Sequence, residues 1–263
     1  MNRSMGKAAL TVIVIVIAGI AALALWILPG PDVQESGSSA PRADQAPAPT
    51  LAASSDQRGP LALPADGTPV VEVRSGERVE VRASPGGDVV GELGPKTEFG
   101  SPTVLSVQER RGSWIGAPTP LLKNGNLGWV KLDPRQLQVA SVDYEIRIDL
   151  SERSAKLLRG DRVEQAWRVS VGVPETPTPT GRFAVTDTFL GQLSSVYGCC
   201  AVAITARQPS LPPSWPGGDR IAIHGTDGPL GVAISNGCVR SPNREVRALV
   251  ETVPLGTPVT IED

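Results

Sequence analysis

The chain has 263 residues, a net charge of −2, 28 glycines, 25 prolines and only 4% aromatic residues, a balance that favours short strands and many turns over long helices. No basic block or aromatic-interleaved basic stripe is present, which argues against nucleic acid as a partner. Three cysteines are too few for a disulfide framework, and with one histidine they form no cluster that suggests zinc.

Residues 1–7 read as a short basic tail carrying Arg3 and Lys7. Residues 8–28 are uncharged and apolar. At about 1.5 Å per residue they reach about 31 Å, the thickness of a bilayer core. Trp26 lies near the far end, and no Lys or Arg follows until Arg42, which predicts a transmembrane anchor with its N-terminus in the cytoplasm. The competing reading is a cleaved signal peptide. The run is long for an apolar region of roughly 7–15 residues, and no A-x-A site follows it directly. Residues 29–68 are rich in Pro, Ala, Ser, Gly and Asp without apolar period and read as a flexible linker.

From Pro69 the pattern changes. Val71, Val73, Val79 and Val81 alternate with other residues, the period of half-buried strands. Val104–Val107 and Gly128–Val130 read as further strands between close turn signals such as Ser84-Pro85-Gly86-Gly87 and Asn124-Gly125. Residues 69–139 are thus expected to form a small β-barrel. Val81-Arg82-Ala83-Ser84-Pro85-Gly86-Gly87, Gly112-Ser113-Trp114-Ile115 and Gly128-Trp129-Val130-Lys131 resemble a bacterial SH3-like domain, a type often attached to enzymes of the cell wall. Trp114 and Trp129 are equally at home as core of any small β domain.

Residues 141–263 form the second predicted domain, mostly β with one helix. Tyr144, Ile146, Ile148 and Leu150 alternate along one strand, and Leu157 to Val171 reads as a hairpin turning at Arg159-Gly160-Asp161. Further strands are expected at Gly181–Thr186, Ala201–Thr205 and Arg220–His224. Ser241-Pro242 predicts a helix start, with Ser as N-cap and Pro in the first position. Val246, Leu249, Val250 and Val253 give that helix one apolar face. A final strand covers Pro258–Ile261. Cys199 and Cys200 are adjacent; a bond between sequence neighbours is geometrically demanding, so they are expected as two small strand residues with at least one facing the core.

The chemistry concentrates in Ile221-Ala222-Ile223-His224-Gly225-Thr226 and Ile234-Ser235-Asn236-Gly237-Cys238-Val239-Arg240. A thiol acts as nucleophile through its thiolate, and a neighbouring imidazole is the usual means of forming it. Cys238 is the candidate nucleophile and His224 the candidate base. No second histidine or obvious carboxylate is available, so a backbone carbonyl is the expected orienter of the ring, and that of Gly225 can lie near it. The N–H groups of Gly237 and Cys238 are candidate oxyanion donors. Arg240 is a candidate clamp for a substrate carboxylate or, equally, a structural arginine. A buried cysteine and a lone hydrogen-bonded histidine remain the plainer alternative.

His224-Gly225-Thr226 followed by Ser235-Asn236-Gly237-Cys238-Val239-Arg240, with Thr178-Pro179-Thr180-Gly181-Arg182-Phe183 upstream, resembles the YkuD-type L,D-transpeptidases across about residues 141–263. The resemblance implies a β-sandwich with a flanking helix, Cys238 as nucleophile, His224 as base, the Gly225 carbonyl as orienter and oxyanion donors in the Gly237–Cys238 segment. Ser235, Asn236 and Tyr197 are further candidate substrate-binding residues. Many members carry His where this chain has Asn236. The implied reaction is acyl transfer through a Cys thioester, joining third-position residues of peptidoglycan stem peptides, without a metal or organic cofactor. The expected protein is monomeric, anchored in the membrane, with its catalytic domain on the cell-wall side. Four alternatives stand beside this. A wall L,D-carboxypeptidase or related hydrolase differs in whether water meets the thioester. Papain-like peptidases place Cys before His, and sortases separate the two far more widely. A non-catalytic wall-binding protein is the alternative of another class.

Overall fold

A computed structural model describes residues 61–191 and 193–263. The expected anchor, and most of the expected linker, lie outside the described residues. Among the described residues no helix is long and apolar enough to cross a membrane.

The N-terminal part holds β1 (Thr68–Val73), β2 (Val79–Arg82), β3 (Val89–Leu93), β4 (Val104–Ser106), β5 (Glu109–Arg111), β6 (Trp114–Pro118), β7 (Leu127–Lys131) and β8 (Leu137–Val142). These form a three-stranded sheet in the order β4-β1-β8 and a five-stranded sheet in the order β3-β2-β7-β6-β5. Alternation along β1 decides what each face meets, because successive side chains point to opposite sides of a strand. Val71 and Val73 enter a core with Val79, Val81, Ile115, Val130 and Leu137, whereas Val70 joins Val104, Ala140 and Val142 in the core of the C-terminal part. The β4-β1-β8 sheet is therefore shared by both cores, and Asp143 alone separates β8 from β9 (Tyr144–Asp149).

The C-terminal part continues with β10 (Ser154–Arg159), β11 (Arg162–Arg168), β12 (Val171–Gly172), β13 (Gly181–Leu190), a 3-10 turn at Ser195–Tyr197, β14 (Cys200–Arg207), β15 (Arg220–Thr226), β16 (Ala233–Ser235), β17 (Val239–Pro242), α1 (Asn243–Thr252) and β18 (Pro258–Glu262). The main sheet has the order β11-β10-β9-β18-β13-β14-β15-β17, and β12 pairs with β16 in a separate two-stranded ladder. The predicted hairpin is present, turning at Gly160 with φ +57°, a value that suits a residue without Cβ. The apolar stripe of α1 is also present: Val246, Leu249 and Val250 are buried among residues of the main sheet. At about 1.5–3 kcal/mol per fully buried aliphatic side chain, this face is ample to hold a ten-residue helix that would be marginal alone.

The helix start differs from expectation. Ser241 and Pro242 belong to β17, the helix begins at Asn243, and no side chain caps it. The reason is a competing bond: buried Ser241 accepts a hydrogen bond on Oγ from Trp167 Nε1 at 3.1 Å, and its backbone pairs with β15. Cys199 and Cys200 also differ. Cys200 is a buried first residue of β14, as expected for a core-facing strand residue, but the two sulfurs are joined in a disulfide.

Candidate active site

Two strands and a loop carry the site. β14 and β15 pair antiparallel with Ala201 opposite His224 and Ala203 opposite Ala222. One face of this pair holds Cys200, Val202, Ile204, Ile221 and Ile223 in the main core. The other face holds Ala201, Ala203 and Ala222, with Phe189, as a small apolar floor against which Cys238 packs. Alternation places His224 on the same face as Ala222, and three alanines there leave room that larger side chains would fill. β17 runs parallel to β15 with Ile223 opposite Val239 and His224 opposite Arg240. Cys238, immediately before β17, thus arrives on the edge strand beside the histidine strand.

His224 is 4% exposed, and its Nδ1–H donates to the Gly225 carbonyl at 3.0 Å. That bond selects the tautomer with an unprotonated Nε2, the form a general base needs. Gly225 is the residue named from sequence for this contact. The ring of Tyr197 packs edge-on against the imidazole with centroids 5.1 Å apart. Burial pushes the His224 pKa below its usual 6.5, the Gly225 carbonyl opposes that, and the Arg240 charge adds to it. Burial pushes the Cys238 thiol above its usual 9.0, while a backbone hydrogen bond from Ala222 and the Arg240 charge pull it down. Both shifts favour uncharged thiol beside uncharged imidazole at rest.

The segment 235–238 is pinned by several hydrogen bonds. Ser235 Oγ donates to the Cys238 carbonyl at 2.6 Å and accepts the Gly237 N–H at 3.2 Å. Thr178 Oγ donates to the Gly237 carbonyl at 2.9 Å and accepts the Gly172 N–H at 2.9 Å. Gln208 Nε2 donates to the Asn236 carbonyl at 3.3 Å and to the Pro177 carbonyl at 2.8 Å. Thr176 Oγ donates to Asn236 Oδ1 at 3.2 Å. The placements refine the sequence reading. Ser235 is 3% exposed and braces the loop from inside instead of facing a substrate. The Gly237 N–H is engaged by Ser235. Asn236 is exposed, and its Oδ1 accepts from Thr176. Arg240 exchanges two backbone hydrogen bonds with Ser170, both 2.8 Å, and its buried Nε has no hydrogen-bond partner among the described residues.

Sequence reasoning missed Gln208, Thr176 and Asn243. Asn243 Oδ1 accepts the Cys199 N–H at 2.9 Å, and its Nδ2 donates to Asp227 at 2.7 Å. A Cβ built on Gly225 would lie 2.1 Å from Asn243 Oδ1, so this amide lies directly against the residue that orients His224. Its position at the start of a helix was the available signal. Thr178 was quoted within its motif, and the geometry gives the reason for it: a hydroxyl bridging two backbone segments beneath the nucleophile.

Comparison with known proteins identifies the family of the C-terminal part. Residues 143–261 match the family model of the YkuD L,D-transpeptidase catalytic domain. The chain is 31% identical over 131 residues to a putative L,D-transpeptidase YkuD of Bacillus licheniformis, covering 46% of this chain and 67% of that protein. It is 28% identical over 123 residues to the Bacillus subtilis protein of the same description, with the same coverage of each. The chain belongs to the YkuD L,D-transpeptidase family. Among solved structures, an Enterococcus faecium L,D-transpeptidase aligns with a TM-score of 0.35 and 22% identity over 45% of this chain and 49% of that one, so this chain spans about half of its length. L,D-transpeptidase 3 of Mycobacterium tuberculosis with a faropenem-derived adduct aligns with a TM-score of 0.40 and 16% identity over 52% and 73%.

Proposed function

We propose that the protein is a membrane-anchored L,D-transpeptidase that cross-links peptidoglycan stem peptides through a thioester on Cys238. The observation that carries this is the pairing of one free thiol, Cys238, with a histidine held by a backbone carbonyl on the adjacent strand. In the proposed cycle the thiol proton passes to His224 Nε2, and the sulfur attacks the carbonyl of the third-position diamino acid of a tetrapeptide stem. The Cys238 N–H receives the oxyanion, since the Gly237 N–H is already donated to Ser235. The imidazolium returns its proton to the departing D-alanine amine, leaving a thioester. A side-chain amine of a second stem then attacks the thioester and gives a proton to His224; the C–S bond breaks as the new amide forms, and the departing sulfur takes that proton back from the ring. Arg240, whose Nε lacks a protein partner, is the proposed anchor for a substrate carboxylate, and Asn236 the proposed contact to stem-peptide amides.

The N-terminal β unit is proposed as an SH3-like module, on the motifs quoted above and its two small sheets. Residues 8–28 are proposed as the single-pass anchor that places the site on the wall side of the membrane, as an uncharged run preceded by Arg3 and Lys7.

The test is intact mass after incubation with a carbapenem. The expected result is one covalent adduct, absent in Cys238→Ala. No adduct on the folded native protein sinks the proposal. Digestion of peptidoglycan treated with the enzyme then separates amine from water as the acceptor: new third-position cross-links support transpeptidation, and trimmed stems alone support a carboxypeptidase.

A further inference from the structure

We propose that Gln208 is a positioning residue for the nucleophile loop, acting through the Asn236–Gly237 peptide that it holds from beneath. The inference rests on the functional reading above and adds a residue that the reading did not need.

Gln208 is 4% exposed and every polar atom of its side chain is committed to backbone. Its Nε2 donates to the carbonyls of Pro177 at 2.8 Å and Asn236 at 3.3 Å, and its Oε1 accepts the Ser210 N–H at 3.1 Å. Its own N–H donates to the Asp219 carbonyl at 2.7 Å, closing the base of the excursion between β14 and β15. One amide therefore joins three segments: the loop after β12, the nucleophile loop and its own. A buried amide is costly unless all its bonds are made, so its placement is tightly determined.

The loop rests directly on this amide. A Cβ on Gly237 would lie 2.2 Å from Gln208 Nε2. The Asn236–Gly237 peptide plane is held at one end by Gln208 through its carbonyl, and at the other by Ser235 through its N–H. With the Gly237 carbonyl held by Thr178, fixing that plane leaves little freedom about Gly237 and so constrains the direction of the next amide, which belongs to Cys238. Oxyanion stabilisation depends on such an amide being aimed before charge develops.

Gln208 is itself held from outside the site. Its neighbour Arg207 donates its N–H to Asn124 Oδ1 at 3.0 Å, receives Asn124 Nδ2 on its carbonyl at 2.6 Å, and donates Nε to the Pro120 carbonyl at 2.6 Å. Arg207 also pairs with Asp219. The N-terminal β unit thus reaches the nucleophile loop through two consecutive residues.

The experiment uses the full chain, Gln208→Glu and Gln208→Met, with two reactions at Cys238. Carbapenem acylation passes through an oxyanion, and iodoacetamide alkylation does not. Near neutral pH, acylation is expected to fall at least about tenfold in both variants, the scale of a misaimed oxyanion donor. Alkylation should change by less than about threefold. In Gln208→Glu the new carboxyl faces two carbonyls, and once protonated it donates to one of them. Acylation in that variant should therefore partly return as pH falls, and in Gln208→Met it should not. If Gln208→Glu does not fold, Asn124→Ala takes its place with the same expected split between the reactions. Native-rate acylation in the variants overturns the inference while leaving the functional reading intact. Equal loss of both reactions with a lowered melting temperature overturns it too, since that is general loosening. No adduct on the native chain overturns the functional reading and this inference with it.

Discussion

Asn124 binds Arg207 as a neighbouring strand would. Its Nδ2 donates to the Arg207 carbonyl at 2.6 Å and its Oδ1 accepts the Arg207 N–H at 3.0 Å, across 83 positions of sequence. One side chain satisfies both backbone groups at the end of β14. Asn124→Ala leaves both without that partner, at a cost of about 1–3 kcal/mol. Urea unfolding should show the midpoint fall with an unchanged slope. A second, earlier transition would mean that the N-terminal part had uncoupled from the rest.

The pH dependence follows from two opposite shifts. His224 is held below its usual 6.5, so the folded state resists protonation. The sign is that of a group with depressed folded pKa: stability is full above about 6.5 and is lost as pH falls toward the lower folded value. Cys238 is held above its usual 9.0, so the stability tied to its neutral form is present below about 9 and lost as pH rises toward the folded value. Stability should therefore form a plateau between those limits. His224→Gln should flatten its acid edge and Cys238→Ala its alkaline edge. Acylation of the native protein should persist below pH 6.5, because the ring stays unprotonated there. An acid limb centred at or above 6.5 would contradict the burial account.

Much of the site was legible because it is local. His224, Gly225, Cys238 and Arg240 lie in two short segments whose spacing and strand context single them out. Gln208 was not legible. A glutamine after a strand reads as solvated, and its role exists only when Pro177, Asn236 and Asp219 converge on it. Ser241 misled for a related reason. Ser-Pro before an apolar helical stripe is a sound helix start, and the distant Trp167 indole claimed the hydroxyl instead. The Cys199–Cys200 bond was disfavoured on local geometry, which does not reveal how a surrounding fold holds two neighbours.

The disulfide leaves Cys238 as the free cysteine. A thiol reagent should label one cysteine per folded chain, slowly near neutral pH because burial disfavours the thiolate. Reduction under denaturing conditions should raise the count to three, the number in the sequence. Three labelled thiols in the folded, unreduced protein would refute the bond.

Gly237→Ala tests the tightest point of the loop. Its φ of +107° is a conformation that side chains strongly disfavour, costing about 1–3 kcal/mol. The new Cβ would also meet Gln208 Nε2 at 2.2 Å and Ile221 Cδ1 at 3.0 Å. The loop must shift, so acylation should fall by at least about a hundredfold, with a melting temperature several degrees lower by the usual scaling for a domain of this size. A variant that acylates normally would show that the loop tolerates movement.

Thr178→Val and Ser241→Ala separate bracing of the site from bracing of the core. Thr178 is buried, and its hydroxyl bridges the Gly172 N–H and the Gly237 carbonyl at 2.9 Å each. Valine keeps its shape and orphans both groups, costing about 2–6 kcal/mol if each contributes a typical buried penalty. The Gly237 carbonyl belongs to the peptide that includes the Cys238 N–H, so acylation should fall as well. Ser241→Ala orphans the Trp167 indole N–H on the opposite, core-facing side, at about 1–3 kcal/mol. Its acylation rate should stay within about twofold of native at temperatures where it is folded, since no reacting group touches that bond. Acylation constants measured beside unfolding curves for both variants decide the matter. Equal effects on acylation would mean that the nucleophile loop senses general loosening of the sheet, and a loss confined to Thr178→Val would mean that the threonine aims the loop.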